Sequence, residues 1–93
     1  MGSITNNPYG YKVCYKEESA AKYIRYFMTY TYRQAVSAKA EYIRFPPRAR
    51  EDGHILNKPK WVIIPIKYSE VRDGIWHEDP FWYEGAFFIM KHR

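Results

Sequence analysis

The residues of this chain that suit chemistry are cations interleaved with aromatic rings, and most of them lie in its first half. Lys12 and Lys16 fall in one alternating stretch, and Tyr23, Arg25 and Phe27 alternate again a few residues later. Side chains two apart on a strand share a face, so the first stretch would present two cations together and the second a cation between two rings. On a sheet, aromatic rings stack on splayed bases while cations contact phosphates. The pattern therefore predicts a face that binds nucleic acid.

We expect this face to be extended by cations from the segments that follow it. The full predicted set is Lys12, Lys16, Tyr23, Arg25, Phe27, Arg33, Arg48 and Arg50. A two-stranded ribbon of this kind also fits a major groove, and the sequence does not distinguish DNA from RNA. The simpler alternative is that these cations form an ordinary solvated surface. The distribution of charge favours nucleic acid, because residues 1–50 hold nine Lys and Arg against three acids, and residues 51–93 hold six against seven.

The slightly acidic second half carries all the tryptophans, and it suggests a second hypothesis. Exposed Trp and Tyr ringed by carboxylates would form a hot spot for a basic protein partner. The predicted residues of that surface are Trp76, Trp82, Tyr83, Glu78 and Asp79. An inhibitor or adaptor of the kind that phages and mobile elements encode would act in this way. The alternative is that the Trp side chains are core and that the acids pair with the basic half of the same molecule.

Catalytic and metal centres are not indicated by the residue types or their spacing. The chain has no Gly-rich phosphate loop, no nucleophile elbow and no HExxH helix, and its three histidines lack ligand spacing. We expect no metal, no cofactor and no enzymatic activity. The main enzymatic alternative is a small basic ribonuclease toxin, which the chain resembles in size and charge. Its candidate groups would be Arg48, Arg50, His54 and tyrosines. Those toxins usually begin with a helix, whereas this chain is predicted to begin with a strand.

The compartment is indicated by a single cysteine and by short apolar runs. Cys14 excludes an internal disulfide and fits a reducing environment. The longest apolar runs, at 61–66 and 86–90, fall far short of the ~20 residues that a membrane-spanning helix needs. We expect a cytoplasmic protein without membrane association. The sequence leaves open whether it is a monomer or a homodimer.

The elements that position these residues are read from hydrophobic periodicity and turn signals. Alternation predicts a strand at 9–16. The next stretch has two interpretations: a second strand at 22–30 followed by a helix that Thr31 caps and that runs to Phe45, or one long helix from Ser19 to Phe45. We favour the hairpin. Pro46 and Pro47 end the helix in either case.

The rest of the chain predicts a long loop, two further strands and one helical turn. The loop spans 48–60, the apolar run 61–66 is a strand, 69–74 is a helical turn, and 81–90 is a final strand or hairpin. The alternative for the last segment is a helix that begins at Asp79 and Pro80. The predicted fold class is α+β: a small, mainly antiparallel sheet of three to four strands packed on one principal helix. Residues 1–8 are predicted to be a flexible arm, and residues 9–93 a single domain.

The hydrophobic pattern also predicts which residues form the core, and the order of the elements resembles a known domain. The expected core residues are Tyr11, Val13, Val36, Ile43, Val62, Ile64 and Phe88. The order strand, turn, strand, helix over residues 9–45, with Thr29 and Ala35 near the helix start, is similar to the arm-binding domains of phage-type tyrosine integrases. That resemblance is one of element order.

Overall fold

A three-stranded antiparallel sheet and one main helix form the fold in the computed structural model, which describes residues 7–77. The elements are β1 (Tyr11–Lys16), β2 (Ile24–Thr29), α1 (Tyr32–Arg44), β3 (Lys60–Pro65), α2 (Tyr68–Arg72) and a 3₁₀ turn (Ile75–His77). The strand order is β2-β1-β3, and both pairings are antiparallel. The α+β prediction is confirmed with three strands. The strand predicted at 81–90 and most of the predicted arm, residues 1–6, lie outside the described residues.

The hairpin and helix over residues 11–45 follow the favoured interpretation, and the long helix is wrong. Thr31 caps α1 through a reciprocal pair of hydrogen bonds: the backbone N–H of Gln34 donates to Thr31 Oγ1 at 3.2 Å, and the backbone N–H of Thr31 donates to Gln34 Oε1 at 3.3 Å. This capping box satisfies two of the amides that a helix start leaves without partners. Aromatic and β-branched residues just before Thr31 favour the extended strand.

A β-bulge in β2 overturns the predicted alternation of its side chains. Val13 pairs with Phe27 and Cys14 pairs with Arg25, so Tyr26 is an extra residue in β2. Tyr26 and Phe27 both contact the ring of Tyr42 on α1, with centroid separations of 5.0 and 6.4 Å. Phe27 therefore lies on the helix side of the sheet. The prediction that it shares a face with the hairpin cations is wrong, because the bulge adds one residue to the period of two.

Aromatic rings fill the layer between the sheet and α1. The Trp61 ring lies 5.2 Å from Tyr15, 5.6 Å from Tyr26 and 4.9 Å from Tyr42, measured between centroids. Tyr11 and Val13 are buried here as predicted. Tilted and edge-to-face rings each add about 0.5–1.5 kcal/mol beyond their buried area. A small core thus becomes adequate with few side chains.

The buried side of α1 differs from the predicted one. Ala35 is fully buried and Tyr42 is half-buried, whereas Val36 and Ile43 are 44% and 57% exposed. Both sides of the helix carry apolar residues, and the side with the tyrosine faces the sheet because its ring packs against Trp61. The placement of Val36 and Ile43 in the core is therefore wrong. Val62 and Ile64 are half-buried, and Phe88 lies outside the described residues.

A second apolar cluster lies at the end of the sheet where β1 begins and β3 ends. Its buried members are Met28, Ile66, Ile75 and Trp76. Gly10 allows this packing: its φ is +100°, and a Cβ there would lie 2.7 Å from the Thr29 carbonyl oxygen and 2.8 Å from the Trp76 ring. None of the helices between residues 7 and 77 has both the length and the apolarity needed to cross a membrane.

Candidate nucleic-acid interface

The strand register gathers cations on the sheet face that points away from α1. Lys12 and Lys16 alternate with the core residues of β1, so they share this face. Cys14, between them, pairs with Arg25 of β2, and Lys16 pairs with Lys60 of β3. Residues directly opposite one another on neighbouring strands lie on the same side of a sheet. Lys12, Lys16, Arg25 and Lys60 thus form what we call the cationic face.

No acid is present in the strands that carry the cationic face, and two of its lysines face each other. The three strands read YKVCYK, IRYFMT and KWVIIP. Lys16 and Lys60 are direct cross-strand partners, and like charges in such a pair are unfavourable. Lys16 Nζ donates a hydrogen bond to the carbonyl oxygen of Ala20 at 3.0 Å, and Lys60 is exposed. Sequence reasoning missed Lys60, although it lies two and four residues before Val62 and Ile64 on the same face.

Lys12 occupies the other end of the face and is neutralised there. Its Nζ lies 2.7 Å from Glu70 Oε2, with both side chains mostly buried. Partial burial by itself raises the pKa of the Glu70 carboxyl, but the hydrogen bonds from Lys12 and from the Lys67 amide outweigh it, so the pKa is lowered. Lys12 therefore anchors α2 to the sheet. The open positive charge of the face lies toward Lys16 and Lys60.

The remaining predicted residues are dispersed. Tyr23 is 37% exposed just before β2 begins, and Arg33 is exposed on the first turn of α1. Arg48 donates to the Gly53 carbonyl oxygen at 3.0 Å. Arg50 donates to the Tyr26 carbonyl oxygen at 3.0 Å, and its guanidinium lies 4.1 Å from the Tyr26 ring centroid. Both arginines of the 48–50 segment thus hold the loop in place.

Trp76 is part of the small cluster and not an exposed hot spot. It is 7% exposed, and its ring stacks on Tyr30 with a centroid separation of 4.3 Å and an interplanar angle of 12°. The expectation of an exposed Trp76 is wrong, because this wide ring closes the end of the sheet beside Gly10. The other predicted residues of the acidic surface, Trp82, Tyr83, Glu78 and Asp79, lie outside the described residues.

An ionic latch that sequence reasoning missed ties the long loop to the β1–β2 turn. His54 Nε2 lies 2.9 Å from Glu17 Oε2, and His54 Nδ1 lies 2.6 Å from Asp52 Oδ1. Glu17 Oε1 also accepts from the Asn57 amide at 2.8 Å. The hydrogen bonds to Asp52 and then Glu17 raise the pKa of His54, while backbone hydrogen bonds from Asn57 and His54 lower the pKa values of Glu17 and Asp52. Because both ring nitrogens face carboxylates, a protonated His54 donates to Glu17 and to Asp52 and links the loop to the turn.

The only cysteine lies at the centre of the cationic face, and it is buried. Cys14 is 3% exposed, and burial raises the pKa of its thiol to about 11 despite the nearby positive charge of Lys12 and Arg25. A thiol with so high a pKa is a poor nucleophile at neutral pH. Among residues 7–77, no group of three His, Cys, Asp or Glu side chains is placed to hold a metal ion.

A second surface that the sequence did not predict is a groove between α1 and β3. We call it the α1–β3 groove; its volume is about 300 Å³, and it is lined by Tyr32, Val36, Lys39, Ala40, Ile43 and Ile63. The lining is apolar apart from Lys39 and the Tyr32 hydroxyl. The sequence does hold a signal for this groove: Val36, Ala40 and Ile43 have the spacing of an apolar helix stripe, just as the residues on the buried side of α1 do.

Comparison of the chain with protein-family models, curated proteins and solved structures gives no match.

Proposed function

We propose that this protein is a non-enzymatic binding protein that takes up nucleic acid on the cationic face. The observation that carries the proposal is the strand register, which collects Lys16, Arg25 and Lys60 on one side of a sheet whose strands hold no acid. A phosphate backbone is a polyanion that such a row of cations neutralises with release of counterions. Tyr23, exposed beside β2, adds a ring on which a base can stack.

The pairing of Lys16 with Lys60 also supports a ligand of negative charge. A sheet selected only for stability gains from opposite charges in a cross-strand pair and loses from like charges, with about 0.2–1 kcal/mol for each pair. A phosphate bound between the two ammonium groups would reverse the sign of that contribution. The Lys12 and Glu70 pair at the other end of the same face shows the neutralised alternative.

Binding without cleavage is favoured by what the candidate ribonuclease groups contact. His54 faces two carboxylates, and Arg48 and Arg50 donate to backbone carbonyl oxygens. These contacts fix the loop and leave the three side chains directed at the protein itself. Incubation of the pure protein with labelled RNA should therefore leave the RNA intact, and cleavage that His54→Gln abolishes would contradict this part of the proposal.

The test is a titration with short single-stranded and duplex oligonucleotides at several salt concentrations. Three phosphate contacts predict a slope of log K against log salt of about −2 to −3. Lys16→Ala combined with Lys60→Ala should weaken binding and make the slope shallower by about 1.4 for single strands or 1.8 for duplex. The charge-matched control is Lys39→Ala with Arg44→Ala on α1, on the other side of the sheet.

The comparison of the two double variants decides the proposal. Both lower the net charge by the same amount, so equal losses of affinity would mean diffuse attraction to a basic protein, and the cationic face would be the wrong site. Absence of binding to any oligonucleotide at low salt would overturn the function itself. Because Lys16 also donates a hydrogen bond to the Ala20 carbonyl oxygen, circular dichroism is needed to check that each variant is folded.

A further inference from the structure

The α1–β3 groove is an exposed apolar surface that the proposed nucleic-acid site does not use. Its floor on the helix is Val36, Ala40 and Ile43, a spacing of i, i+4 and i+7 that runs along one side for about 10 Å. Ile63 of β3 forms the opposite wall. Ile63 pairs with Val13, so it lies on the helix side of the sheet, away from the cationic face.

This stripe is exposed although its side chains are apolar, unlike the apolar side chains on the sheet side of the helix. Val36 is 44% exposed and Ile43 is 57% exposed, whereas Ala35 on the sheet side is fully buried. Two branched aliphatic side chains in one row, beside a concave wall, are the pattern that receives the apolar face of another helix. Such helices insert side chains at i, i+3 or i+4, and i+7, which matches the two turns available here.

Charges around the groove select the partner. Lys39 lies in the lining on the sheet side of the floor, and the helix period of about 100° per residue puts Arg33 and Arg44 on the opposite border, within about 40° of Ala40. The one acid of α1, Glu41, lies on the far side, about 100° from Ala40. An apolar floor with a cationic rim is complementary to apolar anchors flanked by carboxylates.

We propose that the α1–β3 groove binds an acidic amphipathic helix of a protein partner. A second copy of the chain is a poor occupant, because a symmetric contact would oppose the same cations across a two-fold axis. Nucleic acid is a poor occupant because the floor offers aliphatic groups where phosphates or bases would need cations and rings. The proposal uses a different surface from the cationic face, so each can fail without the other.

The probe for this proposal is a synthetic helical peptide of about 14 residues, roughly four turns. It carries Leu at i, i+4, i+7 and i+11 and Glu and Gln on the other positions. One control peptide replaces each Glu with Lys, and a second has the same composition with the Leu residues distributed around the helix. Methyl NMR of the full chain reports the contact: shifts are expected for Val36, Ile43 and Ile63.

Methyl groups on the other sheet face provide an internal control. Val62 and Ile64 pair with Cys14 and Lys12, so they face away from the groove. Their signals should not shift with the acidic peptide. Shifts confined to Val62 and Ile64, or no shifts anywhere at about millimolar peptide, a concentration at which even a weak complex is populated, would overturn the proposal.

Matched substitutions on adjacent exposed positions of α1 test the floor. Val36→Asp should weaken peptide binding at least tenfold, while Ser37→Asp, which adds the same charge beside Arg33 and off the floor, should weaken it several-fold less. Because 44% of Val36 is exposed, the aspartate can reach solvent without disturbing the fold. The milder Val36→Ala with Ile43→Ala tests the same floor without adding charge. Lys39→Ala with Arg44→Ala should weaken the acidic peptide and make its binding less dependent on salt.

Three further outcomes would contradict the assignment. Equal affinity for the Lys-bearing peptide would remove the argument from charge. Concentration-dependent dimerisation in sedimentation that Val36→Asp abolishes would make a second copy the occupant. Displacement of the acidic peptide by an oligonucleotide would mean that one surface serves both ligands. Retained oligonucleotide binding in Val36→Asp, together with loss of the peptide, is the expected result and separates this proposal from the proposed function.

Discussion

We expect the cross-strand pair of Lys16 and Lys60 to make folding stability and the proposed nucleic-acid affinity respond in opposite directions to one substitution. Lys60 is exposed at the start of β3 and directly opposite Lys16. Lys60→Glu replaces a repulsive pair by an attractive one while removing a cation from the cationic face. We expect the variant to be more stable than the original protein and to bind nucleic acid more weakly.

The expected size follows from the position of the pair on the sheet. Opposite-charge cross-strand pairs contribute about 0.2–1 kcal/mol and like pairs cost a similar amount, and exposure to solvent keeps the sum near the lower values. The reversal should therefore raise the free energy of unfolding by about 0.5–1 kcal/mol. For a domain of this size that corresponds to an increase in Tm of about 2–8 °C.

Two measurements decide the matter. Urea unfolding followed by tryptophan fluorescence gives the stability, with Lys60→Gln expected to lie between the original protein and Lys60→Glu. At about 1 M salt, where the Debye length is about 3 Å, the gain should largely vanish because the pair is exposed. Oligonucleotide titration gives the affinity, which should fall and should lose about one unit of salt slope. Stability unchanged at low salt, or affinity unchanged while Arg44→Glu weakens it, would refute the reasoning.

Three other predictions concern the turn at Gly10, the ionic latch and the buried thiol. Gly10→Ala should lower the free energy of unfolding, measured in a urea titration, by about 2–4 kcal/mol. The reason is that an alanine would have to hold a φ of +100° with its Cβ only 2.7 Å from the carbonyl oxygen of Thr29. An unchanged unfolding midpoint would show that the turn tolerates a side chain at this position. The latch should stabilise the loop most between about pH 4.5 and 6.5. Because the pKa of His54 is raised in the folded protein, the stabilisation by His54 falls as the pH rises above the ordinary histidine value of 6.5. Because the pKa values of Glu17 and Asp52 are lowered, the stabilisation by these carboxylates falls as the pH drops below their ordinary values of 4.5 and 3.8. His54→Gln should flatten this profile in hydrogen exchange of the 49–57 amides, and an identical profile in the variant would contradict the assignment. Cys14, with its pKa raised to about 11 by burial, should react slowly with a thiol reagent at pH 8 in the folded protein and rapidly in urea; equal rates would mean that the thiol is accessible.

Local chemistry accounts for the elements that were predicted correctly. The alternation around Val13, the cap at Thr31 and the double proline after Phe45 each depend on residues close in sequence, so the first strand, the start of α1 and its end follow from the sequence. The positive-φ glycine at Gly74 likewise ends the short helix that was expected at 69–74.

The sides on which residues lie depended on contacts between distant segments. Two sides of α1 carry apolar residues, one with Val36 and the other with Tyr42. The side with Tyr42 packs on the sheet because its ring contacts aromatic rings of the strands, among them Trp61, 19 residues away in sequence. The bulge at Tyr26 similarly reverses Phe27 because the ring layer accommodates both residues on the helix side. Periodicity alone carries no information about which of two apolar sides meets the sheet.

The charges themselves were determined by the sequence, and their partners only by the tertiary structure. Composition and order establish a basic first half and a chain able to form a small α+β fold. Folding then pairs Lys12 with Glu70, 58 residues away, and sets Lys60 beside Lys16 across the sheet. A cation is neutralised or left to act according to what lies within a few ångströms of it, since charge interactions decline with distance and are screened by water. That neighbourhood is assembled by strand pairing, which brings together residues that no local pattern relates.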